Sequence, residues 1–123
     1  MRVLYGLWDA DRPRRGLELA AERAAATGDD LVVAVLAPGD RSPGEGLVAD
    51  ARETLTAAGL EPDVRALSGD PAGRLVALAE REGFDRIVLG GGGRSPMGKV
   101  EIDPVVQAVL MSSSVTVTVI REP

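Results

Sequence analysis

The amino-acid sequence predicts one α/β domain over residues 1–123, built on a doubly wound five-stranded parallel sheet with strand order 3-2-1-4-5. Apolar runs of strand length alternate along the chain with segments that have helical spacing. The second run, LVVAVL at residues 31–36, is apolar throughout, which is typical of a strand covered on both faces. Right-handed crossovers on such a sheet favour a Rossmann-like layer structure with helices on both faces.

The first half of the chain predicts two strand–helix units. Residues 3–7, VLYGL, form the first strand, and the helix that follows ends at Gly28. The second strand leads through a Pro/Gly loop into a helix whose apolar face runs from Leu47 to Ala58, and Gly59 ends that helix.

The second half continues the alternation. A weaker strand at residues 64–67 precedes Asp70-Pro71, a helix start in which the carboxylate accepts from free backbone N–H groups and proline needs no donor. A glycine ends this helix at position 83, and residues 85–89, DRIVL, form the fourth strand. The pair Asp103-Pro104 repeats the same start and opens a helix to about position 111. The fifth strand is VTVTVI, beginning at Val115 and ending at Ile120.

Composition excludes several function classes. The chain has no cysteine and no histidine, which removes disulfides, Cys/His zinc sites and Ser/His or Cys/His nucleophile pairs. A net charge of −5 and 2% aromatic residues argue against nucleic acid or an anionic membrane as a partner. No apolar stretch reaches membrane-spanning length and the start lacks a leader pattern, so we expect a cytoplasmic protein.

Four consecutive glycines, Gly90, Gly91, Gly92 and Gly93, follow the fourth strand. Ligands of doubly wound sheets bind outside the carboxyl ends of strands where the strand order reverses, and glycines there let backbone N–H groups surround a phosphate. A flexible strand-to-helix connection explains the same glycines equally well.

Two regular phosphate-binding patterns fit this segment poorly. The dinucleotide fingerprint lacks its third glycine, because Ser95 or Pro96 stands there. The P-loop pattern is met by Gly93, Gly98 and Lys99, but Val100 replaces the hydroxyl residue that binds Mg²⁺.

The text IVLGGGGRSPMGK closely resembles the first half of the universal stress protein motif, in which the fourth strand leads into Gly, two residues, Gly, nine residues, Gly and Ser or Thr. Gly90 and Gly93 match its first two glycines, and the resemblance extends over nearly the whole chain. It implies a nucleotide-binding fold, with Arg94, Ser95 and Lys99 near the phosphates. A solvated loop explains the charged residues Arg94 and Lys99 as well. The resemblance also implies that the backbone around Val33 faces adenine.

The second half of the motif departs from the family. Asp103 and Pro104 stand where ATP-binding members carry Gly and Ser or Thr. An aspartate there occupies the positive end of the helix, and proline removes an N–H donor. The aspartate that the family places at the end of strand one aligns with Trp8, and Asp9 follows one residue later, either as a shifted ribose ligand or as a surface turn residue.

Two functions therefore remain from the sequence. The first is a regulatory or protective stress-response protein with no certain cofactor, in which ATP binding is weakened or lost. The alternative is an adenine-nucleotide-binding protein that uses residues 90–93 and Asp9. An enzyme is not expected, since the paired histidines of related transferases are absent. The resemblance implies a homodimer through the C-terminal strand, which has neither lysine nor proline to prevent edge pairing.

Overall fold

The computed structural model describes residues 1–8, 15–90 and 103–120. Strands and helices alternate in the order β1 (Arg2–Leu7), α1 (Arg15–Thr27), β2 (Asp30–Ala37), α2 (Glu45–Ala57), β3 (Val64–Ser68), α3 (Pro71–Arg81), β4 (Arg86–Gly90), α4 (Pro104–Ser112) and β5 (Thr116–Ile120). All the strand pairs are parallel and the sheet order is β3-β2-β1-β4-β5, which confirms the predicted architecture.

Strand side chains alternate between two cores, one on each face of the sheet. Tyr5 and Val33 lie on the face covered by α1 and α2. Leu4 and Leu89 lie on the opposite face, covered by α3 and α4. The interior of β2 is buried on both faces, which explains why its sequence is apolar without alternation.

The predicted helix ends are confirmed. Gly28, Gly59 and Gly83 all have positive φ, 79°, 80° and 68°, the left-handed conformation that ends a helix at little cost for glycine. None of the helices in the described ranges is long and apolar enough to cross a membrane.

The last strand begins one residue later than predicted, at Thr116. The backbone N–H of Val115 donates to the Ser113 hydroxyl oxygen at 2.9 Å, and that hydroxyl donates to the Val115 carbonyl at 2.8 Å. A local side-chain turn therefore holds Val115 ahead of the strand. The expected alternation is present, since Val117 and Val119 pack on the α3/α4 core.

Candidate functional site

The strand order reverses between β1 and β4, which lie side by side from Val3–Arg86 to Gly6–Leu89. From β1 the chain passes to β2 on one side, and from β4 it passes to β5 on the other. The carboxyl ends of β1 and β4 therefore flank the crevice at which doubly wound sheets bind ligands. This crevice is the candidate site.

Three of the predicted site residues lie within the described ranges, namely Val33, Gly90 and Asp103. The others, Asp9, Gly91, Gly92, Gly93, Arg94, Ser95 and Lys99, lie outside the described residues. Their predicted roles stay predictions.

Gly90 is the last residue of β4 and pairs with Ile120 of β5. A Cβ atom at this position would overlap the hydroxyl of Tyr5, a side chain that is only 2% exposed. On the same side, the Cα of Gly16 in α1 would lie 3.8 Å from that Cβ. Packing between the sheet and α1 therefore explains the glycine at position 90, whether or not a phosphate binds beside it.

Asp103 is the N-cap of α4, as predicted. Its backbone is extended, with φ −60° and ψ 137°, and its Oδ1 accepts a hydrogen bond from the backbone N–H of Val105 at 2.7 Å. Pro104 occupies the first turn, where it contributes no N–H donor. A carboxylate thus already lies against the positive end of α4, at the position where the family motif has a glycine.

The same arrangement begins α3, where Asp70 Oδ2 accepts from the backbone N–H of Gly73 at 2.9 Å and Pro71 follows. The two Asp-Pro pairs are therefore matched helix starts in one chain. Asp70 follows the edge strand β3, whereas Asp103 opens the helix that follows β4 beside the crevice.

Trp8 directly follows β1. Its side chain is partly buried and packs against the α3/α4 core. Core packing therefore explains where the side chain of the single tryptophan lies.

Val33 lies inside β2, between Tyr5 of β1 and Val64 of β3, and its side chain is fully buried. Its backbone N–H donates to the carbonyl of Asp63 at 3.0 Å. That N–H is therefore used within the sheet, and any main-chain contact to a base has to come from other backbone groups of the strand.

The loop after β2 is tied to the end of β3. The hydroxyl of Ser68 donates to the Arg41 carbonyl at 2.7 Å, and the N–H of Gly69 donates to the Ala37 carbonyl at 3.1 Å. These two hydrogen bonds hold the loop after β2 against the end of β3 at the carboxyl edge of the sheet. The sequence interpretation did not predict them. The Ser-Gly pair before Asp70 was the available signal, and Gly69 has a φ of 120° that favours glycine.

Sequence reasoning also missed Tyr5 at this site. Its hydroxyl lies against Gly90, so it links β1 to the start of the glycine segment. The signal in the sequence was a single aromatic residue with a hydroxyl group in the otherwise aliphatic first strand. Within the described part of the chain, no group of three or more metal-ligating side chains is brought together.

A sequence model described as the universal stress protein family matches residues 1–121. The chain belongs to the universal stress protein family. A search of curated proteins gave no match.

Solved structures of universal stress proteins share the fold. One from Archaeoglobus fulgidus is 23% identical, with a TM-score of 0.74 and 97% of each chain covered. Another, in complex with cAMP, is 24% identical with a TM-score of 0.75, covering 98% of this chain and 96% of the other. A third, from Archaeoglobus fulgidus in complex with dAMP, is 21% identical with a TM-score of 0.68, covering 97% and 96%. Nucleotide binding is thus found among relatives of this fold.

Proposed function

We propose that this universal stress protein is a regulatory or protective binding protein of the stress response, without catalytic activity, in which ATP binding at the phosphate site is weakened or lost. One observation carries the proposal, the hydrogen bond from the Val105 N–H to the Asp103 carboxylate at the start of α4. The absence of cysteine and histidine from the sequence supports a binding role over nucleophilic catalysis. A cytoplasmic location stays a prediction of the sequence.

Charge repulsion gives the size of the effect. A phosphate oxygen about 4 Å from the Asp103 carboxylate, at an effective dielectric constant near 20, meets a repulsion of about 4 kcal/mol, which corresponds to roughly a thousandfold loss of affinity. Pro104 adds to this loss because it removes one backbone donor from the same helix end.

Isothermal titration calorimetry of the purified protein with ATP and Mg²⁺ tests the proposal. We expect no binding at micromolar ATP. A micromolar or tighter dissociation constant contradicts the loss of ATP binding.

A second candidate function is adenine-nucleotide binding in a shifted position, with residues 90–93 at the phosphates and Asp9 at the ribose. The relatives solved with cAMP and dAMP favour it, because a nucleotide with one phosphate needs less room at the helix start than ATP. Heat release of bound nucleotide from protein purified without added ligand, followed by mass spectrometry, distinguishes the two functions. Recovery of AMP, ADP or ATP at near-stoichiometric amounts supports the second function, and recovery of no nucleotide supports the first.

The proposed partner is a second copy of the chain, paired through β5. This strand lies at the edge of the sheet, and its residues Val117, Thr118, Val119 and Ile120 are all partly exposed. Unpaired edge groups and alternating Val and Thr residues favour strand addition. We expect a dimer mass by light scattering at micromolar concentration, and a monomer mass contradicts this assembly.

A further inference from the structure

A groove runs along the α1 side of the sheet, between α1 and the strands β4 and β5. Its volume is about 450 Å³. Its walls are mostly apolar and are formed by Val3, Leu19, Ala20, Val88, Thr118 and Ile120.

The charges in this groove are predominantly positive. Arg23 from α1 and Arg86 from β4 both line it, and Asp29 is the acidic lining residue. The Asp29 carboxylate is already engaged, since it accepts from the Thr27 hydroxyl at 2.7 Å and forms an ion pair with the Met1 ammonium at 3.1 Å. Two arginines thus line an apolar groove in a chain whose net charge is −5.

Arg86 points to the kind of ligand that suits the groove. Its Nε atom is buried, and none of the described residues accepts a hydrogen bond from it. Arg86 lines the groove, and no carboxylate of the described residues forms an ion pair with its guanidinium. A carboxylate is the acceptor that best matches a guanidinium.

We propose that this groove binds an amphipathic carboxylate, with the carboxylate at Arg86 and Arg23 and an aliphatic tail on the floor formed by Val3, Val88 and Ile120. The volume falls within the usual range of small-molecule sites. Charge complementarity selects an anion, and the apolar walls favour a tailed anion over a small inorganic one. The groove lies on the face of the sheet, so this ligand and a nucleotide at the carboxyl edge occupy separate sites.

Calorimetric titration with decanoate tests the proposal, with acetate as the probe without a tail and 1-decanol as the probe without a charge. We expect decanoate to bind and the other two probes to bind at least tenfold more weakly. Arg86→Gln should weaken decanoate binding about tenfold or more. The matched control is Arg52→Gln, which changes an exposed arginine of α2 and should leave the affinity unchanged.

Absence of decanoate binding at millimolar concentration overturns the proposal, and so does an equal affinity in the Arg86→Gln variant. Light scattering of the same variants adds a second test. If Arg86→Gln changes the oligomeric mass and the unchanged protein does not bind decanoate, a second copy of the chain covers the groove and the proposal is wrong. If Arg86→Gln does not fold, amide chemical shifts of the unchanged protein decide the question. Decanoate should then shift residues of α1 and β5, and shifts confined to other elements reject the site.

Discussion

Replacing Gly90 by alanine tests why the first glycine of the motif follows β4. The added Cβ atom would overlap the Tyr5 hydroxyl, while the next nearest atom of that ring, Cζ, lies at an ordinary 3.7 Å. Tyr5 is 2% exposed and cannot move without displacing its neighbours. We therefore expect Gly90→Ala to lower the free energy of unfolding by about 1–3 kcal/mol, the usual cost of overpacking a core.

Urea denaturation followed by the fluorescence of the single tryptophan, in the absence of nucleotide, measures this effect. The cost should fall by about 1 kcal/mol or more when Gly90→Ala is introduced into a Tyr5→Phe background, because the overlapping oxygen is gone. Gly46→Ala is the matched control: this exposed glycine of α2 has no atom within 4 Å of an added Cβ, and its replacement should be neutral or slightly stabilising. An equal cost of Gly90→Ala in both backgrounds would refute the packing explanation.

Two further predictions concern the stability of the scaffold. Gly6→Ala should cost about 1–3 kcal/mol, because its Cβ would lie 2.7 Å from Leu75 Cδ2 and 2.9 Å from Leu89 Cδ2, both in fully buried side chains; an unchanged urea midpoint would contradict this. The Thr27 hydroxyl and the Met1 ammonium lower the pKa of Asp29 below its ordinary 3.8, so its contribution to stability is present above that value and is lost as the pH falls through the lowered pKa. Asp29→Asn should therefore reduce stability at neutral pH, with a gap that closes in strong acid, whereas a gap of equal size at both extremes would reject this linkage.

Local signals predicted the helices and strands because each element is determined mainly by neighbouring residues, whereas the strand order was predicted from the doubly wound fold class. The pairs Asp70-Pro71 and Asp103-Pro104 define two helix starts, since an N-cap carboxylate and a first-turn proline act within one turn of helix. The start of β5 was predicted one residue early, because the Ser113 side chain engages the backbone of Val115.

The candidate site was less predictable because its contacts join distant parts of the chain. The overlap between Tyr5 and Gly90 connects β1 to the end of β4, and no local pattern reports such a pair. The groove at Arg86 depends on which face of an edge strand is left uncovered, which is a property of the assembled sheet. The family motif could be recognised from the sequence, since its spacing places Asp103 at the start of α4.

The affinity of the Asp103→Gly, Pro104→Ser double variant for ATP and Mg²⁺, measured by calorimetry, tests the central claim most directly. The matched control is Asp70→Gly, Pro71→Ser, which makes the same change at the start of α3 and for which glycine at the N-cap costs only a few tenths of a kcal/mol. We expect the first double variant to bind ATP at least roughly tenfold more tightly than the unchanged protein, and the control to bind as the unchanged protein does. An unchanged affinity in the first variant, or an equal gain in the control, would show that the Asp103 carboxylate does not exclude phosphate.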